Sequence, residues 1–494
     1  MTTSELAAEQ DQRIAMLALL DHQRQAFRRE GPPSLEVRQN RIDRLLALLL
    51  DNTDAFAEAM NADFGTRSRS ASLFTEVIGV IPVIEHTRSH VGRWMRATRL
   101  MRAARLAGLR ATVEPTPLGV VGIVGPWNFP VNLVVLPAAA AFAAGNRVMI
   151  KMSEITPRTA ALMEEFAPRY FDPTELAVVT GGRDVAAVFT ALPFDHLFFT
   201  GSPEVGKLVQ RAAADNLVPV TLELGGKNPV VVARDADIAT AAARIAAARM
   251  VNGGQVCVCP DYVFVPEHRV EEFVAAARRE LTRRFGEIAA NPDYCSCVND
   301  ANFDRVLGLL DDAALKGAMV ESVAPDGESL PDRASRKIAP TIVQGVGDGM
   351  RIAHEEIFGP VLVVMTYRDP REVVEYVNDR PAPLVAYWYG PDGTDFRDFV
   401  RRTRSGGVAR NDFAAQMIPS AAPFGGVGNS GMGAYHGKAG FDAFSHYRAV
   451  VGSDLPFSIT GTATPPFGRP MKIYADIQLR LARNRVHRRL GGRS

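Results

Sequence analysis

Cys257 stands in the run Asn252-Gly253-Gly254-Gln255-Val256-Cys257-Val258-Cys259, with two glycines shortly before it. Glycines let a backbone turn tightly and admit a second molecule, and a thiolate held there could attack an electrophile. Taken alone, the segment also suits an inert, packed cysteine. Glu223, in Glu223-Leu224-Gly225-Gly226-Lys227-Asn228-Pro229, follows an apolar stretch over 218–222. A carboxylate at a strand end, facing a cleft, suits a general base; a surface ion pair or a cap would use the same residue. Asn128, in Pro126-Trp127-Asn128-Phe129-Pro130, follows a second apolar stretch. Its amide could donate to a developing oxyanion or shape a turn.

Three further groups could bind rather than react. Thr200-Gly201-Ser202-Pro203-Glu204-Val205-Gly206-Lys207 joins an expected strand to an expected helix, and free amides at a helix start attract phosphate. Its spacing nearly completes a nucleoside-triphosphate loop, but Leu208 occupies the place of the magnesium-binding Ser or Thr, which argues against that class. Lys151 and Glu154, just past another expected strand, could take ribose hydroxyls or form a solvated charged pair. Cys257-Val258-Cys259 and Cys295-Ser296-Cys297 make two C-x-C pairs. Structural zinc sites usually separate paired cysteines by two or more residues, so no metal is expected.

These residues need a scaffold that brings strand ends together. From about residue 120 the chain alternates between strand-like runs (119–124, 147–150, 176–180, 195–200, 218–222) and helix-like runs (157–166, 202–214). That rhythm predicts a parallel sheet covered by helices. A second such block starts near Asn228, with helices over 237–250 and 267–285 and a strand over 261–265. Helices are expected over 15–60, where Leu45, Leu46, Leu48, Leu49 and Leu50 form one apolar segment followed by Phe56 and Met60. Residues 324–332 read as a surface loop, 424–437 as Gly-rich and turn-prone, and 453–470 as a proline-containing linker to a basic tail.

At 494 residues the chain is long enough for two or three domains. Its 56 basic and 55 acidic residues leave a net charge of +1, which gives no reason to expect nucleic acid as a partner. Four cysteines are too few for a disulfide scaffold and point to a reducing compartment, the cytoplasm. Residues 1–11 carry three acids and no apolar core, unlike a secretory signal. Residues 115–146 hold no charge, but Gly119, Gly122, Gly125, Pro126, Pro130 and Pro137 interrupt them. A buried strand, loop and helix fits better than a membrane span.

Taken in order, the Asn128, Glu223 and Cys257 segments and Glu355-Glu356-Ile357-Phe358-Gly359-Pro360 resemble the motifs of the aldehyde dehydrogenase superfamily, over about residues 20–450. The run Pro423-Phe424-Gly425-Gly426-Val427-Gly428-Asn429-Ser430-Gly431-Met432-Gly433-Ala434-Tyr435-His436-Gly437, then Phe444-Ser445-His446, is similar to the class 3 branch. Asp63-Phe64-Gly65-Thr66-Arg67-Ser68-Arg69 and Arg93-Trp94-Met95-Arg96 are similar to bacterial coniferyl aldehyde dehydrogenases. Two departures stand out: Met152 replaces the proline usual after the cofactor lysine, and Cys259 is not a fixed family feature.

The resemblance implies an α/β fold in parts: N-terminal helices and a Rossmann-like cofactor domain over 1–224, with an oligomerisation hairpin near 111–117; a catalytic domain over 225–410; a return to the cofactor domain and an oligomerisation strand over 411–452; and a linker and basic tail over 453–494. It implies NAD(P)-dependent oxidation of an aryl or medium-chain aldehyde to its acid through a Cys257 thioester, with Asn128 holding the oxyanion and Glu223 activating water. Lys151 and Glu154 would bind the adenine ribose, and Gly201, Ser202 and Gly206 would face the pyrophosphate. Glu356 would bind the nicotinamide ribose, and Phe358 would pack on the cofactor. Phe129, Val256, Phe424 and His436 are candidates for the aldehyde pocket. NAD is expected over NADP because Glu154 would repel a 2′-phosphate. A homodimer is expected. Transfer of the acyl group to CoA and a silent binding protein of the same fold are the competing functions. Cys259 could form a protective disulfide with Cys257, and the tail, with Ile473, Ile477 and Leu481 in one stripe among arginines, could lie on an anionic membrane surface.

Overall fold

The computed structural model describes residues 3–100, 108–456, 458, 461 and 464–491. The chain divides into two compact units, residues 1–95 with 115–446 and residues 96–114 with 447–494.

The larger unit opens with the helices Thr3–Glu30, Leu35–Asp51 and Thr53–Phe64. Ser34 caps the second by accepting the Val37 N–H. Its leucines cannot all face one way at about 100° per residue: Leu45, Leu46, Leu48 and Leu49 are buried, whereas Leu50 faces solvent.

A six-stranded sheet runs in the order Gly431–Met432, Val220–Leu224, His196–Gly201, Val120–Val124, Arg147–Lys151, Leu176–Val179. Its pairs are parallel except for the short strand Gly431–Met432, which is antiparallel. Val120–Val124 and Arg147–Lys151 are buried throughout, as in a sheet covered on both faces. The charge-free stretch supplies one of these strands and the helix Asn132–Ala144, which is almost wholly buried. Among the described residues no helix is long and apolar enough to cross a membrane.

The strand expected over 218–222 lies at Val220–Leu224. Glu223 therefore sits inside a strand, paired with Thr200 on one side and Gly431 on the other. Hydropathy ends the run at Leu222, but both neighbours continue the backbone ladder beyond it.

A seven-stranded sheet takes the order Met319–Ser322, Thr341–Gln344, Val361–Tyr367, Pro260–Pro266, Asn228–Val232, Val385–Tyr389, Gly407–Arg410. Only its first pair is antiparallel. The helices Ile238–Arg249 and Val270–Arg284 pack on one another beside it.

A three-stranded sheet in the order Thr98–Leu100, Leu109–Pro117, Ser445–Ser453 falls mostly in the smaller unit. Its outer strand Ser445–Ser453 is exposed along nearly its whole length. The tail forms the helix Arg469–Gly491. Ile473, Ile477 and Leu481 do form a stripe, but Leu479, Val486 and Leu490 are exposed too and fall roughly on the opposite side at about 100° per residue. The helix has two apolar rows instead of one. Arg493 of the tail lies outside the described residues.

Candidate active site

A cavity of about 1140 Å³ opens at the strand ends of the larger unit. Asn128, Glu223, Cys257, Glu356 and Phe358 all line it, as do Glu154, Gly201 and Ser202. Residues separated by more than 200 positions thus meet in one cleft at the carboxyl ends of parallel strands, the usual place for a site in such sheets.

The loop before Cys257 turns through three consecutive residues with positive φ: Asn252 at 50°, Gly253 at 63° and Gly254 at 78°. A Cβ on Gly254 would stand 2.1 Å from the Gly359 carbonyl, so only glycine fits. Gln255 locks the turn by donating to the Asn252 and Ser296 carbonyls (2.9 and 3.0 Å) and accepting the Val298 N–H (3.0 Å). Asn228 donates to the carbonyls of Cys257 and Cys259, and the Tyr387 hydroxyl donates to that of Val258 at 2.6 Å. The Cys257 backbone is therefore held on both sides.

Burial pushes the Cys257 thiol up to about 12, with the nearby Glu356 and Glu223 carboxyls adding to the rise. Its own N–H and that of Val258 favour the thiolate. Burial likewise raises Glu223 well above 4.5, and neither of its oxygens has a hydrogen-bond partner in the protein. Glu356 is pushed up to about 8 by burial and by Asp261. Three groups that would carry negative charge share one poorly solvated pocket, and the two carboxyls oppose ionisation of the thiol.

The segment carrying Glu356 is tightly fixed. Lys227 donates to the Glu355 carbonyl (3.0 Å) and pairs with Asp261 (3.4 Å). Arg305 donates to the Glu356 and Ile357 carbonyls (3.0 and 2.6 Å), and Arg249 to that of Gly359 (2.9 Å). Phe358 adopts a φ of 48°, rare for a non-glycine residue, and meets Trp127 edge-on at 5.3 Å. Gly225 faces Glu356: a Cβ there would fall 2.1 Å from the carboxylate. Sequence reasoning assigned no role to Asn228, Lys227, Arg249 or Arg305. Asn228 and Lys227 belong to the quoted Glu223 segment, where the signal was present.

The Asn128 carboxamide donates to the Gln255 carbonyl at 3.2 Å, one residue before the segment's Val256-Cys257. Ser202 caps the helix Pro203–Ala214, accepting the Val205 N–H, so the helix start faces the cavity. Gly206 lies within that helix, its N–H donating to the Ser202 carbonyl, and packs on Leu224 instead of lining the cavity. Glu154 lines the cavity beside Arg183, 3.9 Å away. Lys151 does not border it: its ammonium donates to the Met152 carbonyl at 2.5 Å, and burial lowers its pKa.

Of the four expected aldehyde-pocket residues, Phe424 lines the cavity. His436 stacks on Phe424 at 5.5 Å and adopts a φ of 71°, its Nε2 buried without a partner. Phe129 and Val256 belong to the apolar core and do not border the cavity. Tyr435 and Trp127, which were not foreseen, do. Cys259 is buried, its thiol directed at the Ala248 and Arg249 carbonyls (3.5 and 3.7 Å), so its pairing with Cys257 has no support in the structure. The Cys295 thiol meets the Asn252 side-chain oxygen at 3.4 Å. Among the described residues there is no cluster of three or more His, Cys, Asp or Glu side chains that could hold a metal.

Known proteins resemble this chain over most of its length. The profile of the aldehyde dehydrogenase family matches residues 7–450. The coniferyl aldehyde dehydrogenase of Pseudomonas sp. (strain HR199 / DSM 7063) is 48% identical over 432 residues, covering 87% of this chain and 89% of that protein. The dimeric, NADP-preferring aldehyde dehydrogenase of Rattus norvegicus is 36% identical over 433 residues, covering 87% and 93%. The substrate-bound state of Staphylococcus aureus AldH superposes with a TM-score of 0.85 at 32% identity, covering 94% of this chain and 99% of that one.

Proposed function

Because the chain belongs to the aldehyde dehydrogenase family and oxidises aldehydes with NAD(P), we propose that Cys257, Glu223 and Asn128 carry the reaction and that its aldehyde is aromatic, of the coniferyl type. The observation that carries the first part is the shared cavity: a thiol and a buried carboxyl with two unpartnered oxygens face the same space. The 48% identity to a coniferyl aldehyde dehydrogenase carries the second, and Trp127, Phe358, Phe424 and Tyr435 give the cavity an aromatic wall.

The cavity fits a dinucleotide. It is large, it meets the capped start of the helix Pro203–Ala214, where a pyrophosphate would accept free amides, and Gly225 leaves the Glu356 carboxyl room beside it. Glu154, with Ser153 beside it in the cavity wall, would hold the adenine ribose, and Glu356 would hold the nicotinamide ribose. When bound, the nicotinamide supplies the hydride acceptor.

The chain's own residues do the rest. Cys257 Sγ, its thiol proton released to solvent, forms a bond to the aldehyde carbon while the C=O electron pair moves onto oxygen. The Asn128 carboxamide and the Cys257 N–H are placed to hold that oxygen. Loss of hydride from the carbon restores the C=O and leaves a thioester on Sγ. Glu223 then takes a proton from water, the water oxygen attacks the thioester carbon, and the C–S bond breaks to return Cys257 as thiolate and release the acid.

Residues 1–224 and 225–410 follow the two large sheets, and we read them as cofactor and catalytic portions. The exposed strand Ser445–Ser453 and its sheet partners suit a homodimer interface, and one relative is named as dimeric. The basic tail helix suits a peripheral contact with an anionic surface. The deciding experiment is a kinetic screen of aryl and alkyl aldehydes with NAD and NADP, with and without CoA. Acid from coniferyl aldehyde at high kcat/KM without CoA is expected. A CoA requirement, or preference for short alkyl aldehydes, would overturn the reading.

A further inference from the structure

Arg67 and Glu76 form an ion pair at 2.8 Å with essentially no solvent exposure (1% and 0%). Burying two charges is costly unless geometry and additional hydrogen bonds repay it, so the contacts these groups make besides one another show what the pair is for. One guanidinium nitrogen of Arg67, Nη1, donates to the Asn128 carbonyl at 2.9 Å. The other, Nη2, donates to Glu76 and, at 3.3 Å, to the Thr75 hydroxyl. The guanidinium lies against the Phe64 and Phe129 rings (4.9 and 5.4 Å), which limit its movement.

Glu76 is aimed at the same segment. Its second oxygen accepts the backbone N–H groups of Val131 and Asn132 (3.2 and 2.7 Å). These open the helix Asn132–Ala144, whose own N-cap residue, Val131, has no side-chain acceptor. A carboxylate from elsewhere in the fold thus caps this helix. Glu76 reaches it from Leu73–Ile78, a π-helical turn of the kind that tends to occur at functional sites. The Asn132 side chain donates to the Thr75 carbonyl at 2.8 Å, tying the two segments again. Residues 128–132 are held at both ends by one buried pair, and the Asn128 carbonyl takes a further bond from Asn252 of the nucleophile loop at 3.2 Å.

We propose that the Arg67–Glu76 pair is a positioning device for Asn128, fixing its backbone so that the carboxamide meets the oxygen of the reacting aldehyde. Neither residue borders the cavity, so both act through Asn128. The inference rests on the reading of Asn128 as the oxyanion donor. Lysine at 67 would keep the charge but cannot present two separate nitrogens to Asn128 and Glu76 at once.

The test is a double-mutant cycle on the full-length protein. Single-turnover NADH formation reads thioester formation; acid release in multiple turnover reads hydrolysis; and the rate of Cys257 alkylation by iodoacetamide reports whether the nucleophile loop is intact. Asn128→Ala should slow thioester formation about 10²–10³-fold; if it does not, the reading of Asn128 fails and the proposal with it. Arg67→Lys should slow the same step roughly tenfold or more, with alkylation and the NAD dissociation constant unchanged. In the Asn128→Ala background it should have less than about a twofold effect. Glu76→Gln, which keeps size and an acceptor oxygen, is the second variant should Arg67→Lys not fold. A large Asn128→Ala effect combined with an unchanged rate in the folded variant, with additive losses, or with alkylation falling in parallel, would overturn the proposal while leaving Asn128 in place.

Discussion

The side-chain amide of Asn228 donates to the carbonyl oxygens of both Cys257 (2.7 Å) and Cys259 (3.0 Å), while its own oxygen accepts the Val385 N–H (2.9 Å). One side chain at the start of the strand Asn228–Val232 thereby fixes the backbone from the nucleophile onward, at Cys257 and at Cys259.

Asn228→Ala leaves those buried groups without their partner. A loss of about 1–3 kcal/mol in stability is expected, together with a fall in kcat/KM of roughly tenfold to a hundredfold from a displaced Cys257. Urea unfolding and steady-state kinetics on the same preparation check both.

Cys257→Ser should abolish dehydrogenase activity. Glu223→Gln should slow acid release, by about 10²–10⁴-fold, far more than hydride transfer. Stopped-flow NADH measurement separates the steps; full turnover by the serine variant would end the thioester mechanism.

The pH dependence follows from burial. Because the Glu223 pKa is raised above 4.5, the folded chain keeps a proton that the unfolded chain has released. Its contribution to stability is intact below pH 4.5 and is lost as pH climbs toward the raised value. Glu223→Gln should therefore melt at a higher temperature than the parent at pH 7, with the gap closing near pH 4. Calorimetry at the two pH values is the check, and equal melting temperatures at pH 7 would count against it. Turnover by the parent should rise with pH as Glu223, its pKa raised by burial, gives up its proton and becomes a base.

For the cofactor, NAD should be preferred because Glu154 repels a 2′-phosphate, but Arg183 beside it offsets part of that charge. Arg183→Ala should widen the NAD preference and Glu154→Gln narrow it, each by up to about tenfold in kcat/KM, the equivalent of about 1.4 kcal/mol. Titration with 2′,5′-ADP against 5′-ADP reads the same discrimination without turnover.

The tail should bind vesicles containing anionic lipid, through seven basic residues of its helix, Arg469, Lys472, Arg480, Arg483, Arg485, Arg488 and Arg489, at about 1 kcal/mol for each that reaches the surface. Sedimentation of the full chain and of one truncated after Gly452 compares them; equal, negligible binding by both would dismiss the contact. The second apolar row makes partial insertion shallower than a single-faced helix would give.

Much of this was legible in the sequence because parallel strands buried on both faces read as short apolar runs, and because the chemistry sits in loops with glycines at fixed places. The segments around Asn128, Glu223, Cys257 and Glu356 do meet in one cavity. What could not be read is how side chains turn. Lys151 spends its ammonium on a neighbouring carbonyl, Gly206 serves helix packing, and Phe129 and Val256 face the core; each has the residue type of a ligand contact, and only its direction decides. The Arg67–Glu76 pair escaped because its purpose depends on contacts with residues some 60 positions away.

The pairing of Glu223 with Gly431 also imposes an order in time. Chains leave the ribosome at about 5–20 residues per second, so the strand bearing the base waits roughly ten to forty seconds for its outer neighbour. Until then one flank of that strand has unmet backbone groups. The nucleophile loop, only 34 positions after Glu223, emerges within that interval. Nascent protein halted before residue 431 should hence hold a reactive cysteine beside an unfinished sheet edge, the stage at which a chaperone that shields strand edges would matter most to yield.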